Sequence, residues 1–224
     1  MKKYLIPFLA VILAMSLPDL GKLLLSVGLT GIGSFLSNEY YVYFMRVFVG
    51  ILAIAYFWKQ YDEIKVKFDP LAWLAGLGLI IVWIGFDLIA RNYGWTFFGT
   101  SSASLKPFDT AFPYVVISAK IIGMVVVAAV VEELFMRSFL IRFFTDMNKW
   151  DKLPIGQFNW PSFILTTLIF GFMHGLWFVG VLAGIIFNLW LYYRKDMFSC
   201  IQCHAAANLF LIVYVLVTND WLLW

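Results

Sequence analysis

The chain has 224 residues, of which 63% are hydrophobic and 13% charged, with a mean hydropathy of +0.88 and a formal net charge of +3. That balance excludes a soluble globular domain, and a small positive charge scattered in short clusters excludes nucleic acid as a partner. What remains is an all-α, polytopic transmembrane helix bundle.

Read from the N-terminus, "MKKYLIPFLAVILAMS" has a basic start, an apolar run and an A-x-S sequence at Ala14–Ser16. This is the pattern of a signal peptide and equally that of the first helix of a polytopic protein; it is read here as the first span. A span needs about 20 apolar residues, and such segments run over about 4–20, 40–58, 70–90, 114–142, 160–176, 177–193 and 197–218. About seven spans are therefore expected, within a range of six to eight. The glycine- and leucine-rich stretch 22–37 is short for a crossing and is expected to lie in the interface or to extend the first helix past Pro18. Trp95, Trp150, Trp160, Trp221 and Trp224 sit at the ends of apolar runs, where interfacial anchors belong. Lys2 and Lys3, the segment "KQYDEIKVK" (59–67), Arg142 with Lys149 and Lys152, and Arg194 with Lys195 all fall on one face if the N-terminus is cytoplasmic. The intervening loops, such as 92–109, carry few positive charges. With no repeat, linker or low-complexity tract, one integral membrane domain over 1–224 is expected.

Within the fourth span, "AVVEELFMRSFL" (129–140) puts Glu132 and Glu133 side by side where each charge costs roughly 2.5 to 3.5 kcal/mol. Glu133 and Arg137 are i,i+4 neighbours that can pair, whereas Glu132 points about 100° away and lacks that partner. The two histidines of the chain, His174 and His204, both lie in expected spans, and Asn208 shares a helix face with His204. Gly171 and Gly175, then Gly180 and Gly184, form G-x-x-x-G patterns that permit close helix packing. Counted from the cytoplasmic ends at 142, 160 and 197, these polar groups lie roughly 10 to 21 Å deep at about 1.5 Å per residue, near the middle of a core about 30 Å thick. Side chains from three spans thus converge on one layer.

Two other readings compete. "CIQCH" (200–204) satisfies the C-x-x-C-H pattern of c-type haem attachment, although that chemistry occurs on the outer side and this stretch is assigned near the cytoplasmic face. Otherwise Cys200 and Cys203 provide no disulfide framework and read as small buried residues. A transporter with a buried Glu/Arg/His relay, joined by Arg46, Asp87 and Arg91, is the second alternative, but the paired repeats of many transporters are missing.

"EELFMR" matches E-E-x-x-x-R, "FGFMH" matches F-x-x-x-H and "HAAAN" matches H-x-x-x-N. In this order and helical setting the motifs resemble the CAAX protease and bacteriocin-processing (CPBP) family of intramembrane proteases, over about residues 110–215. The run "GIIFNLWLYYRKDMFSCIQCHAAANLF" (184–210) is similar to the same family, except that its cysteines depart from the usual apolar sequence. The compact chain also resembles the bacterial branch associated with exosortase sorting systems. The resemblance implies a hydrolase of a prokaryotic cytoplasmic membrane that cleaves a hydrophobic or lipidated peptide or protein substrate. It assigns Glu132 as general base, His174 as the group orienting the water, His204 and Asn208 as oxyanion donors, and Glu133 and Arg137 as supporting residues. A metal-free site is preferred. The alternative is one zinc ion on Glu132, His174 and His204, although H-E-x-x-H is missing and asparagine is a poor zinc ligand.

Overall fold

A computed structural model describes residues 1–100 and 105–224. Among the described residues there are nine helices and no strand: α1 (Lys2–Met15), α2 (Leu17–Ser26), α3 (Thr30–Ser37), α4 (Glu39–Phe57), α5 (Pro70–Tyr93), α6 (Pro113–Thr145), α7 (Trp160–Phe172), α8 (Trp177–Arg194) and α9 (Met197–Thr218). Their boundaries follow from local chemistry. The Asn38 side chain accepts from the Tyr40 and Tyr41 amides at the start of α4, and Asp196 does the same for Phe198 and Ser199 at the start of α9. Pro70 and Pro113 open α5 and α6, where a missing N–H costs nothing, and Gly94 closes α5 in the left-handed region at φ 66°.

Five helices are long and apolar enough to cross a membrane, and α1 with α2, bent by 42°, makes a sixth as a pair. The protein is therefore a multi-pass, all-α membrane protein with five or six spans by this measure among the described residues, against an expectation of about seven within a range of six to eight. Each expected segment is helical, and the shortfall lies at α7, whose 13 residues reach only about 20 Å. The uncertain stretch 22–37 forms the end of α2 and α3. Of the loop 92–109, with its few positive charges, residues 101–104 lie outside the described residues.

By packing, the chain groups into two compact units, Met1–Tyr61 with Leu105–Val131 and Asp62–Ser104 with Glu132–Trp224. In the first unit α1 runs along α4, α2 packs on α3, and α4 meets the first part of α6. The Tyr61 hydroxyl donates to the Lys3 carbonyl at 2.6 Å, tying the two ends of this unit's first hairpin.

In the second unit α5 lies against α9 and α7 against α8. Small residues set both distances. A methyl group on Gly76 would meet the Cys203 carbonyl oxygen at 2.5 Å and the Ala206 Cβ at 2.8 Å, so α9 lies directly on α5 at the level of His204. A methyl on Gly171 would stand 2.8 Å from the Val181 nitrogen, and Asn188 donates to Thr166 Oγ1 and Thr167 Oγ1 at 3.0 and 2.9 Å across the α7–α8 seam. At one end a polar knot joins three helices. Asp69 caps Leu71, accepts from Ser199 Oγ at 2.6 Å and pairs with Arg194 at 2.7 Å, while Gln202 bridges the Asp69 amide and the Lys67 carbonyl. At the opposite end of α5, Arg91 holds both Asp87 and Asp220, fastening the chain after α9.

Two outcomes test this packing. Gly76→Val should cost about 1 to 3 kcal/mol of stability through overpacking, whereas Gly78→Val, with open space around it, should cost less than about 0.5 kcal/mol, as read from thermal unfolding in detergent. The second outcome concerns Asp69, which lies just outside the α5 span. Burial pushes its carboxyl up, but the Ser199 hydroxyl, the Arg194 guanidinium and the Leu71 amide outweigh this and hold it below the ordinary carboxylate value. Its stabilisation is thus present above the unfolded pKa of about 3.9 and is lost as pH falls through the lower folded value. The gap in Tm between wild type and Asp69→Asn should be largest near neutrality and should shrink below about pH 4.

Candidate active site

The six side chains singled out by the sequence all belong to the second unit. Glu132, Glu133 and Arg137 come from α6, His174 from the turn that follows α7, and His204 and Asn208 from α9. Two stretches of α6, Ile122–Ala128 and Leu134–Leu140, are wound as wide π turns, so the helix leaves regular register immediately after the paired acids. Such turns recur at functional sites because they re-aim side chains within an otherwise regular helix.

Glu133 is 0% exposed and fully engaged. Its Oε1 lies 3.2 Å from Arg137 Nη1 and accepts from His204 Nδ1 at 2.8 Å, and its Oε2 accepts from Cys200 Sγ at 3.1 Å. A buried carboxylate is tolerable only with this degree of pairing. The Arg137 guanidinium, also buried, faces the rings of Phe170 at 4.3 Å and Phe187 at 5.0 Å. Phe187 stacks on the His204 ring at 4.8 Å. Phe170 touches both histidines, with ring centroids 4.7 Å from His174 and 6.0 Å from His204. The two imidazoles are therefore brought together around one phenyl ring.

Glu132 differs from its neighbour. It is half-buried, and its Oε2 is sealed from solvent with no hydrogen-bond partner among the described residues. Its charge acts directly on His174, as do those of His204 and Arg137. His174 is steadied from behind, because its Nδ1 lies 2.8 Å from the Phe170 carbonyl and its ring meets Trp83 of α5 edge-on at 5.6 Å. A carbonyl can only accept, so Nδ1 carries the proton and Nε2 of neutral His174 is left as an acceptor. The same reasoning applies to His204: Glu133 accepts from Nδ1–H, so Nε2 donates only when the ring is an imidazolium. Asn208 is half-buried one turn beyond His204.

Two features were not assigned from sequence. One is the Glu133–His204 bond, which joins α6 to α9. The other is Cys200, which stands four residues before His204 on the same face of α9, a spacing that marks it as a neighbour once that face is seen to meet Glu133. Both thiols of the C-x-x-C-H stretch are 0% exposed inside α9, a setting that does not suit covalent haem attachment. Among the described residues no three His, Cys, Asp or Glu side chains are grouped so that they could hold a metal ion.

The family model described as Type II CAAX prenyl endopeptidase Rce1-like matches residues 114–210. No curated protein and no solved structure matches the chain. The stretch that supplies Glu132, Glu133, Arg137, His174, His204 and Asn208 is thus one that matches a protease family, the Rce1-like CAAX prenyl endopeptidases.

Proposed function

We propose that the protein is an intramembrane endopeptidase that hydrolyses a peptide bond near the end of a hydrophobic or lipidated membrane-associated substrate. The observation that carries this reading is the unequal state of two adjacent acids. Glu133 is saturated by Arg137, His204 and Cys200, while Glu132 keeps an unbonded oxygen beside an imidazole whose Nε2 can only accept. A water molecule held by these two acceptors has both protons engaged and a lone pair free to attack. Its oxygen adds to the scissile carbonyl carbon and one proton passes to Glu132. The oxyanion is met by the imidazolium Nε2–H of His204 and the Asn208 amide, donors fixed in a site largely screened from water. When the C–N bond breaks, the proton held on Glu132 goes to the leaving nitrogen. No metal enters these steps. The apolar helices around the site provide a surface for a lipid-modified or hydrophobic tail, with surrounding bilayer lipid as the other partner. On the positive-inside pattern, the N-terminus is cytoplasmic and the membrane is the cytoplasmic membrane of a prokaryote.

The decisive assay uses purified protein and a peptide ending in a prenylated cysteine followed by three apolar residues. Glu132→Gln should lower kcat by about 10² to 10⁴ while leaving Tm nearly unchanged, because the removed charge has no structural partner. Cleavage at the wild-type rate in that variant would eliminate Glu132 as the base. Glu133→Gln should instead lower Tm as well as rate, since it strips the charge that holds Arg137 and His204. Asn208→Ala is expected to reduce kcat by about 10² to 10³, with a smaller effect on KM, as befits a donor used mainly in the transition state.

A further inference from the structure

In the second unit, the segment leading into α5 connects the two helices that carry Glu132 and His204. Past the turn at 62–63, residues 64–69 form neither helix, turn nor bend, so this stretch runs as an extended strap. The Glu63 carboxylate accepts from Ser138 Oγ of α6 at 2.6 Å. At the other end, Gln202 of α9 donates to the Lys67 carbonyl at 2.7 Å and accepts from the Asp69 amide at 3.0 Å. Ser138 stands six residues past Glu132, and Gln202 two residues before His204. Because the late part of α6 and the early part of α9 meet the same short strap, both pins lie on one side of the acid and the imidazole. From Glu63 to Lys67 an extended chain reaches about 13 Å at 3.3 Å per residue, enough to span a helix-to-helix gap of about 8 to 10 Å.

The middle of the strap is not used by the fold. Among the described residues Lys65 and Val66 make no backbone hydrogen bond, and Val66 and Phe68 are 71% and 68% exposed. In extended backbone the N–H and C=O of one residue point to one side and those of the next to the other. With the Lys67 carbonyl turned to Gln202, Val66 presents its N–H and C=O on the opposite side. An unpaired edge of this kind is a template for a guest strand, and pinning at both ends removes freedom that pairing would otherwise cost. Position and charge identify the guest. Three residues following a scissile bond beside Glu132 extend about 10 Å at 3.3 Å per residue, and Ser138 lies about 9 Å along α6 from Glu132 at 1.5 Å per residue. Such a tail is apolar and ends in a carboxylate. The strap offers apolar Val66 and Phe68 in alternation with Lys65 and Lys67, all four exposed.

We propose, resting on the peptidase reading above, that residues 65–68 are a substrate subsite, where the apolar C-terminal residues beyond the scissile bond pair as a strand with the Val66 backbone. The test measures binding, by fluorescence polarisation, of a peptide ending in a prenylated cysteine and three apolar residues, with a non-cleavable ketomethylene at the scissile position. Val66→Pro should weaken binding about fivefold or more, as loss of a backbone hydrogen bond predicts, and Lys65→Pro less than about twofold. Proline fits an extended edge, so both variants should keep the wild-type Tm. A second measurement needs no variant. On wild type, N-methylation of one of the two amides beyond the ketomethylene should weaken binding about fivefold or more, and of the other less than about twofold. Wild-type affinity in Val66→Pro, or tolerance of both N-methyl groups, would overturn the subsite. Equal binding of a probe that stops at the prenylated cysteine would also overturn it, by assigning the affinity to the lipid alone. Cleavage of the unmodified peptide by wild type, followed in parallel, keeps these failures apart from that of the peptidase reading: neither binding nor cleavage overturns both.

Discussion

The site hangs on a single buried carboxylate. Glu133 sits at 0% exposure in a helix that crosses apolar surroundings, and it is stable there only because Arg137, His204 and Cys200 surround it. Stripping water from an ion costs several kcal/mol, so each partner is needed and none is interchangeable. This compensation also fixes geometry. Arg137 cannot leave its place between Phe170 and Phe187 without exposing an unpaired charge, and His204 cannot rotate without giving up its proton acceptor. The positions of α6, α7, α8 and α9 near the site are thereby tied to one ion cluster.

The doubled acid acquires a physical meaning in this setting. One helical residue turns the side chain by about 100°, enough for Glu133 to face the cluster while Glu132 faces His174. Chemistry needs a carboxylate that is not already satisfied, and structure needs one that is. On the proposed mechanism, two acids in sequence supply both from the same turn of helix. The wide turn that begins at Leu134 follows directly, so Arg137 is presented from a stretch whose winding differs from that of the acids.

Much of this was legible in the sequence because hydropathy and helix geometry are local. The seven apolar segments correspond to α1 with the start of α2, then α4 to α9, and the i,i+4 spacing of Glu133 and Arg137 anticipated their ion pair. The order of the motifs matched the segment on which the family model falls. What stayed hidden depended on contacts between distant segments. Nothing local distinguishes Cys200 from any small buried residue, and only the approach of α9 to α6 makes its thiol a donor to Glu133. Phe170 was visible as the first letter of F-x-x-x-H, but its double duty requires the fold: its carbonyl holds His174 from behind and its ring meets Arg137 and both imidazoles. Six spans fall within the expected six to eight, and the difference from seven lies at α7 for a similar reason. Hydropathy continues through Met173–Leu176, so the early end of α7 is not written in the apolar pattern.

That early end has a consequence for the solvent. Amide groups in the bend from Met173 to Leu176 lack a full set of helical bonds, and hydrocarbon tails cannot satisfy them. A bend that stops short of the far headgroups is tolerated where protein covers it or moisture gathers against it. His174 rides on this bend, and Gly99 lies so close to Gly175 that a Cβ on it would meet the Gly175 carbonyl oxygen, so neighbouring backbone rather than hydrocarbon packs against the unwound turn that carries the imidazole.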